Sequence, residues 1–438
     1  MPRLLFLDWL RGCFIVLVII FHAWSHLLFW NGALIAREEV TTLILVLFAP
    51  LILLGTWAPI FALISGVATA YVFHGVLSRA SERAPALRKH VRGLYINSAL
   101  LYLCSLIHMG FLHYRMNWGG EMRHSVITGS IERGRWAPGS VEFLFFTDAI
   151  ALMAMAGAVA AALLGLLWRG AGFDQARRNY AILVGLGVAW FAVAPFLHAA
   201  FLPTFFEAVN HGHYATAAVL KLLVGPPHST FPNVGFALFG MILGIALARR
   251  EPLAHIRRFG YGTGLTAVAV GLGVFAIQGV NLTPDRIGTS LPVQLHIINL
   301  GLMLMLATWL IGYLEYQPAG RRLELARKST WPRRFGLMAM TAYICESFFC
   351  AIQLTWFLPL FDGSALPVRW AGLFLFAGMQ LAFWYGVLRV WERYDFRYSF
   401  EWWVVSVGGR LRGRPSNRLD VATILYAPVP AEAASPAS

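Results

Sequence analysis

The sequence predicts an all-α fold: a polytopic membrane bundle of about ten transmembrane helices with both termini cytoplasmic. Three observations carry that reading. Of the 438 residues, 58% are hydrophobic and only 13% charged, and the mean hydropathy is +0.64, a balance that a water-soluble domain of this length does not sustain. Uncharged apolar stretches of about 20 residues, enough to cross a bilayer as a helix, recur from residue 12 to residue 388. The basic residues, finally, gather between alternate stretches. A soluble enzyme and a nucleic-acid binder are both disfavoured.

Spans are placed at 12–30, 44–78, 95–113, 143–168, 180–202, 232–248, 261–281, 294–313, 336–360 and 367–389. The first has a long apolar core and no A-x-A cleavage signature after it, so it reads as a helix and not a leader. The second is too long for one straight crossing and contains Pro50 and Pro59. It is expected to be a kinked helix, or a re-entrant piece followed by a helix. The third follows Arg79, Arg83, Arg88, Lys89 and Arg92, and the fourth runs into Arg169, Arg177 and Arg178. The sixth and seventh are separated by Arg249, Arg250, Arg257 and Arg258, the eighth and ninth by the basic run from Arg321 to Arg334. With Arg3, Arg11 and the arginines after residue 388, one side collects 27 of the 35 Lys and Arg. That asymmetry marks the side as cytoplasmic and explains the net charge of +14 without a polyanion partner. Two outer loops, Tyr114 to Glu142 and Leu202 to Thr230 with Pro226, Pro227 and His228, exceed what a turn needs. From Arg414 the tail is rich in Ala, Pro and Ser. The chain is therefore divided into a transmembrane domain, 1–400, and a cytoplasmic tail, 401–438, disordered from about 414.

The first span carries the most informative chemistry. On a helix advancing about 100° per residue, Arg11 and His22 lie about 20° apart and Asp8 within about 40° of His22. One face thus presents Asp8, Arg11, His22 and His26 in order of depth. At 1.5 Å per residue His22 sits roughly 16 Å beyond Arg11, near the middle of a hydrocarbon layer about 30 Å thick. A neutral histidine bonded to a neighbouring helix is the plain explanation. An ionisable group at that depth is nevertheless a functional candidate by default, because it is expensive unless it faces a cavity or a partner. An imidazole there can take a proton from a hydroxyl or amine, or be acylated itself. Arg11 is placed either to hold a phosphate or to pair with Asp8.

Glu346 lies inside the ninth span with Tyr343, Ser347, Cys350 and Gln353 at helical spacing. That stripe suits an interhelical hydrogen-bond network as well as a substrate site. Ser65-Gly66 with Ala68 and Ala70 suits close helix packing first. Eight histidines fall in the outer half, His211-Gly-His213 the tightest pair, but no metal-ligand spacing such as His-Glu-x-x-His accompanies them, and no metal is assigned. The four cysteines, all within apolar stretches, read as small core residues. Trp118 and Trp136 in an outer loop suit stacking on a sugar, beside Glu121, Arg123, Glu132, Arg133 and Arg135.

Leu7-Asp8-Trp9-Leu10-Arg11-Gly12, with a histidine eleven residues after the arginine, resembles the first-helix signature of the membrane acyltransferase 3 family. The opening is similar also to the heparan-α-glucosaminide acetyltransferase and DUF418-like groups. Phe61-Ala-Leu-Ile-Ser65-Gly66, the run from Phe231-Pro232-Asn233 to Gly244, Met340-Thr341-Ala-Tyr343-Ile-Cys-Glu346-Ser347, and Phe400-Glu401-Trp402 with Arg410 resemble later elements of these families. The later helices of acyltransferase 3 have no convincing counterpart here. The resemblance implies transfer of an acyl group, typically acetyl, from cytoplasmic acyl-CoA to an acceptor at or beyond the membrane, at the inner membrane of a cell. It makes His22 the catalytic histidine, with Arg11 and Asp8 beside it, and puts Arg11, Ser65 and Gly66 on the donor side. His26, Glu346 and Tyr343 are the residues expected to meet the acceptor, a glycan, lipid-linked glycan or small metabolite. The partners expected are the bilayer, acyl-CoA and that acceptor, with a homodimer compatible and no nucleic acid. The competing expectation is a multi-pass transporter with His22 and Glu346 in the substrate or proton path.

Overall fold

The structure, a computed structural model, describes residues 3–30, 56–118, 121–278, 291–413 and 421–426. Sixteen helices and one hairpin follow in order among these residues: α1 Leu5–Ser25, α2 Ile60–Ser78, α3 Arg83–Ile107, β1 Met116–Trp118, β2 Glu121–Arg123, α4 Val126–Arg133, α5 Ala149–Leu167, α6 Ala176–Asn210, α7 Tyr214–Val224, α8 Thr230–Ala248, α9 Leu253–Gln278, α10 Val293–Leu314, α11 Ala319–Lys328, α12 Thr330–Leu337, α13 Ala339–Phe357, α14 Leu366–Glu392, α15 Phe400–Leu411 and α16 Val421–Tyr426. Ten of them, α1, α2, α3, α5, α6, α8, α9, α10, α13 and α14, are long and apolar enough to cross a membrane. The protein is a multi-pass, all-α membrane bundle.

α8 is buried along nearly its whole length and forms the centre. Small residues let it approach α2 to backbone contact: a Cβ on Gly66 would strike the Ala237 carbonyl, and one on Gly240 the Leu63 carbonyl. With no hydrophobic drive between helices in lipid, such close packing is what holds them together. α6 and α9 instead expose Val188, Phe196, Leu265, Leu272 and Ile277, the apolar surface that lipid covers. α1 and α12 meet through Gly12 and Gly336, where a Cβ would fall on the Pro332 and Asp8 carbonyls respectively.

Three expectations change, and a fourth is described only in part. Of the long second stretch, only the helix Ile60–Ser78 is described, with Pro59 as its N-cap, while Pro50 lies outside the described residues. The outer loop from Leu202 to Thr230 is mostly helix, because α6 runs on through Pro195 and Pro203 to Asn210 and α7 follows after Gly212. Residues 400–411 belong to the bundle, since Glu401 accepts from the Met340 and Thr341 amides at 2.7 and 3.1 Å and so satisfies free N–H groups at the start of α13. The tail also contains α16, which Arg333 grips by donating to the Ile424 and Leu425 carbonyls. The rest of the stretch expected to be disordered, 414–420 and 427–438, lies outside the described residues.

Candidate functional site

Two helical tracks running the same way build the site. α1 touches the α12–α13 track first at Gly12 and Gly336 and again, further along, at His22 and Glu346, so the two lie parallel. His22 Nδ1 hydrogen-bonds the Glu346 carboxylate, and Ser347 Oγ donates to the same oxygen at 2.9 Å. Pairing at Nδ1 makes it the protonated nitrogen and directs the lone pair to Nε2. The His22 side chain keeps 15% of its surface accessible against 3% for Glu346. The imidazole is therefore the more accessible member of the pair, and the carboxylate the more buried one.

A cavity of about 310 Å³ approaches this pair from the amino-terminal side. Arg11, Ser65, Thr69 and Glu401 are the polar and charged groups on its otherwise apolar wall, and Tyr343 lines it as well. The Tyr343 ring stands with its centroid 6.0 Å from that of His22, so the cavity ends beside the dyad without including it. Arg11 donates to the Gly336 carbonyl at 3.4 Å and is the one cation on the cavity wall. Burial lifts the Glu401 carboxyl above the ordinary carboxylate range, although Thr341 and two backbone amides hold its charged form.

On the far side of the dyad the site is aromatic and imidazole-rich. Tyr114 packs edge-on against both His22 and His26, at 5.7 and 5.5 Å between centroids. His26, fully buried on the π-helical turn that continues α1, is close enough to feel the charge of Glu346. His113 lies over Tyr114 at 3.8 Å, and burial, then neighbouring His108, holds it well below the usual histidine range. Burial likewise keeps His228 down at about 4. The His113 and His228 rings are neutral acceptors or donors at physiological pH.

The sequence-predicted residues separate into three groups. His22, His26, Tyr343 and Glu346 come together at the inner end, and Arg11 and Ser65 at the cavity. Asp8 and Gly66 go elsewhere. Arg3 forks onto Asp8, with Nε to Oδ2 at 2.5 Å and Nη2 to Oδ1 at 2.9 Å, and Asp8 is not part of the cavity wall. The helical arithmetic put Asp8 on the face of Arg11 and His22 in order of depth but did not foresee the partner just upstream, Arg3. Gly66 turns its face to α8, where absence of a side chain permits contact. Gln353 in the same stripe as Glu346 receives a bond from Gln380 at 2.8 Å, the interhelical network weighed above.

Sequence reading missed Tyr114 and a second imidazole–carboxylate pair. His108 Nδ1 and Asp148 Oδ2 are 2.9 Å apart, and Ser105 Oγ donates to Asp148 at 2.6 Å. A carboxylate opening the fourth span was the available signal. In the outer loop Arg123 pairs with Glu142 at 3.0 Å, and Trp136 is well exposed; the Trp118 and Glu121 side chains lie outside the described residues. His211 and His213 stand on the turn between α6 and α7 with centroids 6.5 Å apart. Among the described residues no group of three or more His, Cys, Asp or Glu is arranged to hold a metal ion. No family model matches the chain, and no curated protein or solved structure matches it either.

Proposed function

We propose that the protein is an integral-membrane acyltransferase that moves an acyl group, acetyl in the simplest case, from acyl-CoA to a hydroxyl or amine of a glycan, lipid-linked glycan or small metabolite. The observation that carries this reading is the His22–Glu346 dyad standing beside a largely apolar cavity whose wall carries the cation Arg11. The cavity's mostly apolar wall, with Arg11 as its cation, suits a thin thioester-bearing arm better than a polyanionic nucleotide. The nucleotide and phosphates then stay on the amino-terminal side, whose clustered arginines favour a cytoplasmic orientation at the inner membrane. Arg11 guides the arm, Ser65 and Tyr343 line its path, and the carbonyl reaches His22.

There, Glu346 fixes the imidazole so that Nε2 faces the reacting atoms. His22 acts as general base on the acceptor or carries the acyl group itself. In the first case the acceptor proton goes to Nε2, its oxygen or nitrogen bonds the carbonyl carbon, and the thiolate departs and is protonated. In the second the imidazole displaces the thiolate before the acceptor arrives. The acyl-CoA resemblance of the first helix supports the same reading.

The test is purified protein with acetyl-labelled acetyl-CoA, wild type beside His22→Ala, following CoA release and protein-bound label. Release or labelling lost in the variant, with both proteins folded, is the expected result. A wild-type protein inert toward acyl-CoA that accumulates an unaltered substrate in proteoliposomes would replace this reading with transport.

A further inference from the structure

The His108–Asp148 pair is more than a structural clasp. Asp148 does cap α5, its Oδ1 accepting from the Ala151 amide at 2.7 Å, and with Ser105 it ties α3 to α5. A clasp of that kind uses one imidazole nitrogen. The other, His108 Nε2, is fully buried and has no hydrogen-bond partner among the described residues. Thr147 Oγ1, on the residue before Asp148, is buried and unpartnered in the same sense. A buried imidazole lone pair without a partner gives up hydration for nothing unless something else comes to fill it.

Its position says what that is. The His108 ring lies 5.1 Å from Tyr343 by centroids, and His22 lies 6.0 Å from the same ring. The two imidazole–carboxylate pairs thus flank one tyrosine, which is also the inner wall of the donor cavity. His22 stands beside the inner end of the cavity, across Tyr343, whereas His108 is surrounded by His113, Asp148 and Tyr343 on the other side. One orienting carboxylate per imidazole is the arrangement that holds a ring nitrogen ready for proton transfer.

We propose that His108, positioned by Asp148, is the general base for a hydroxyl acceptor, and that the acceptor binds between His108 and His22 beside Tyr343. This rests on the acyltransferase reading above, in its acyl-carrier form. The acyl group is held on His22 Nε2. The acceptor O–H bond breaks and its proton goes to His108 Nε2. The acceptor oxygen bonds the acyl carbon, the carbon–nitrogen bond to His22 breaks, and His22 returns to a neutral imidazole. His108 then loses that proton when the acylated product leaves and water enters the vacated space. His108 is the catalytic residue of this half-reaction, and Asp148 positions it.

The experiment separates the two halves. Exchange of labelled free CoA into acetyl-CoA reports the donor half, and acetyl transfer to water or to methyl glucoside reports the acceptor half. His108→Gln retains a side-chain amide able to donate to Asp148 but cannot accept a proton. It is expected to exchange like wild type while transfer falls about 100-fold or more. His108→Ala is expected to behave likewise and to regain transfer when imidazole is added, which a structural defect would not do. Wild-type transfer in His108→Gln overturns the assignment, as does parallel loss of exchange and transfer in both variants without imidazole rescue. If the wild type neither exchanges nor releases CoA, or if His22→Ala does so undiminished, the acyltransferase reading itself fails and this one with it.

Discussion

At the scale of single residues, the dyad and the Arg3–Asp8 pair make opposite predictions from similar chemistry. Glu346→Gln keeps the shape and a hydrogen-bonding group beside His22 but removes the charge that orients it. CoA release is expected to fall at least about 100-fold with the thermal midpoint little changed. Asp8→Asn removes the partner of a partly buried arginine instead. Its expected effect is a lower thermal midpoint in detergent, with turnover per folded molecule retained; turnover lost in a normally stable Asp8→Asn protein would return Asp8 to the catalytic group. His22 was legible in the sequence because its depth and spacing follow from one helix. Glu346 was visible only as a candidate within a polar stripe. Nothing local says that residues so distant in the chain form a pair, since the contact depends on how α1 and α13 are laid side by side.

At the scale of elements, close backbone approach makes certain glycines structural. Gly240→Val would drive a side chain into the Leu63 carbonyl across the α2–α8 contact. A loss of about 1–3 kcal/mol is expected, read as a lowered unfolding midpoint in detergent. Ser65→Phe, one residue from Gly66, is expected to do something different, because Ser65 lines the cavity. Filling that space should abolish CoA release while the unfolding midpoint stays near wild type. The spans were readable from apolar length alone, as α5 and α8 show. The helices at the far side were not: the end of α6 continues past Pro203 into residues that read as loop, and α7 is an apolar helix of eleven residues, too short to register as a crossing.

At the scale of the whole molecule, the arginine distribution implies an orientation that a labelling experiment reads directly. With the native cysteines replaced, Ser81→Cys lies between α2 and α3 and His211→Cys between α6 and α7, both at exposed positions on opposite ends of the bundle. In right-side-out vesicles an impermeant maleimide is expected to label the second at once and the first only after permeabilisation. The reverse pattern would invert the bundle and place the donor cavity on the outer face. By itself the sequence determined the membrane class and most of the ten crossings, because apolar length and helical spacing are properties of contiguous residues. Tertiary structure alone decided that Glu346 holds His22, that Asp8 belongs to Arg3 and that His108 and Asp148 form a second pair. Each of those depends on which buried polar group finds which partner across helices, and in a low-dielectric interior that choice is made by packing geometry.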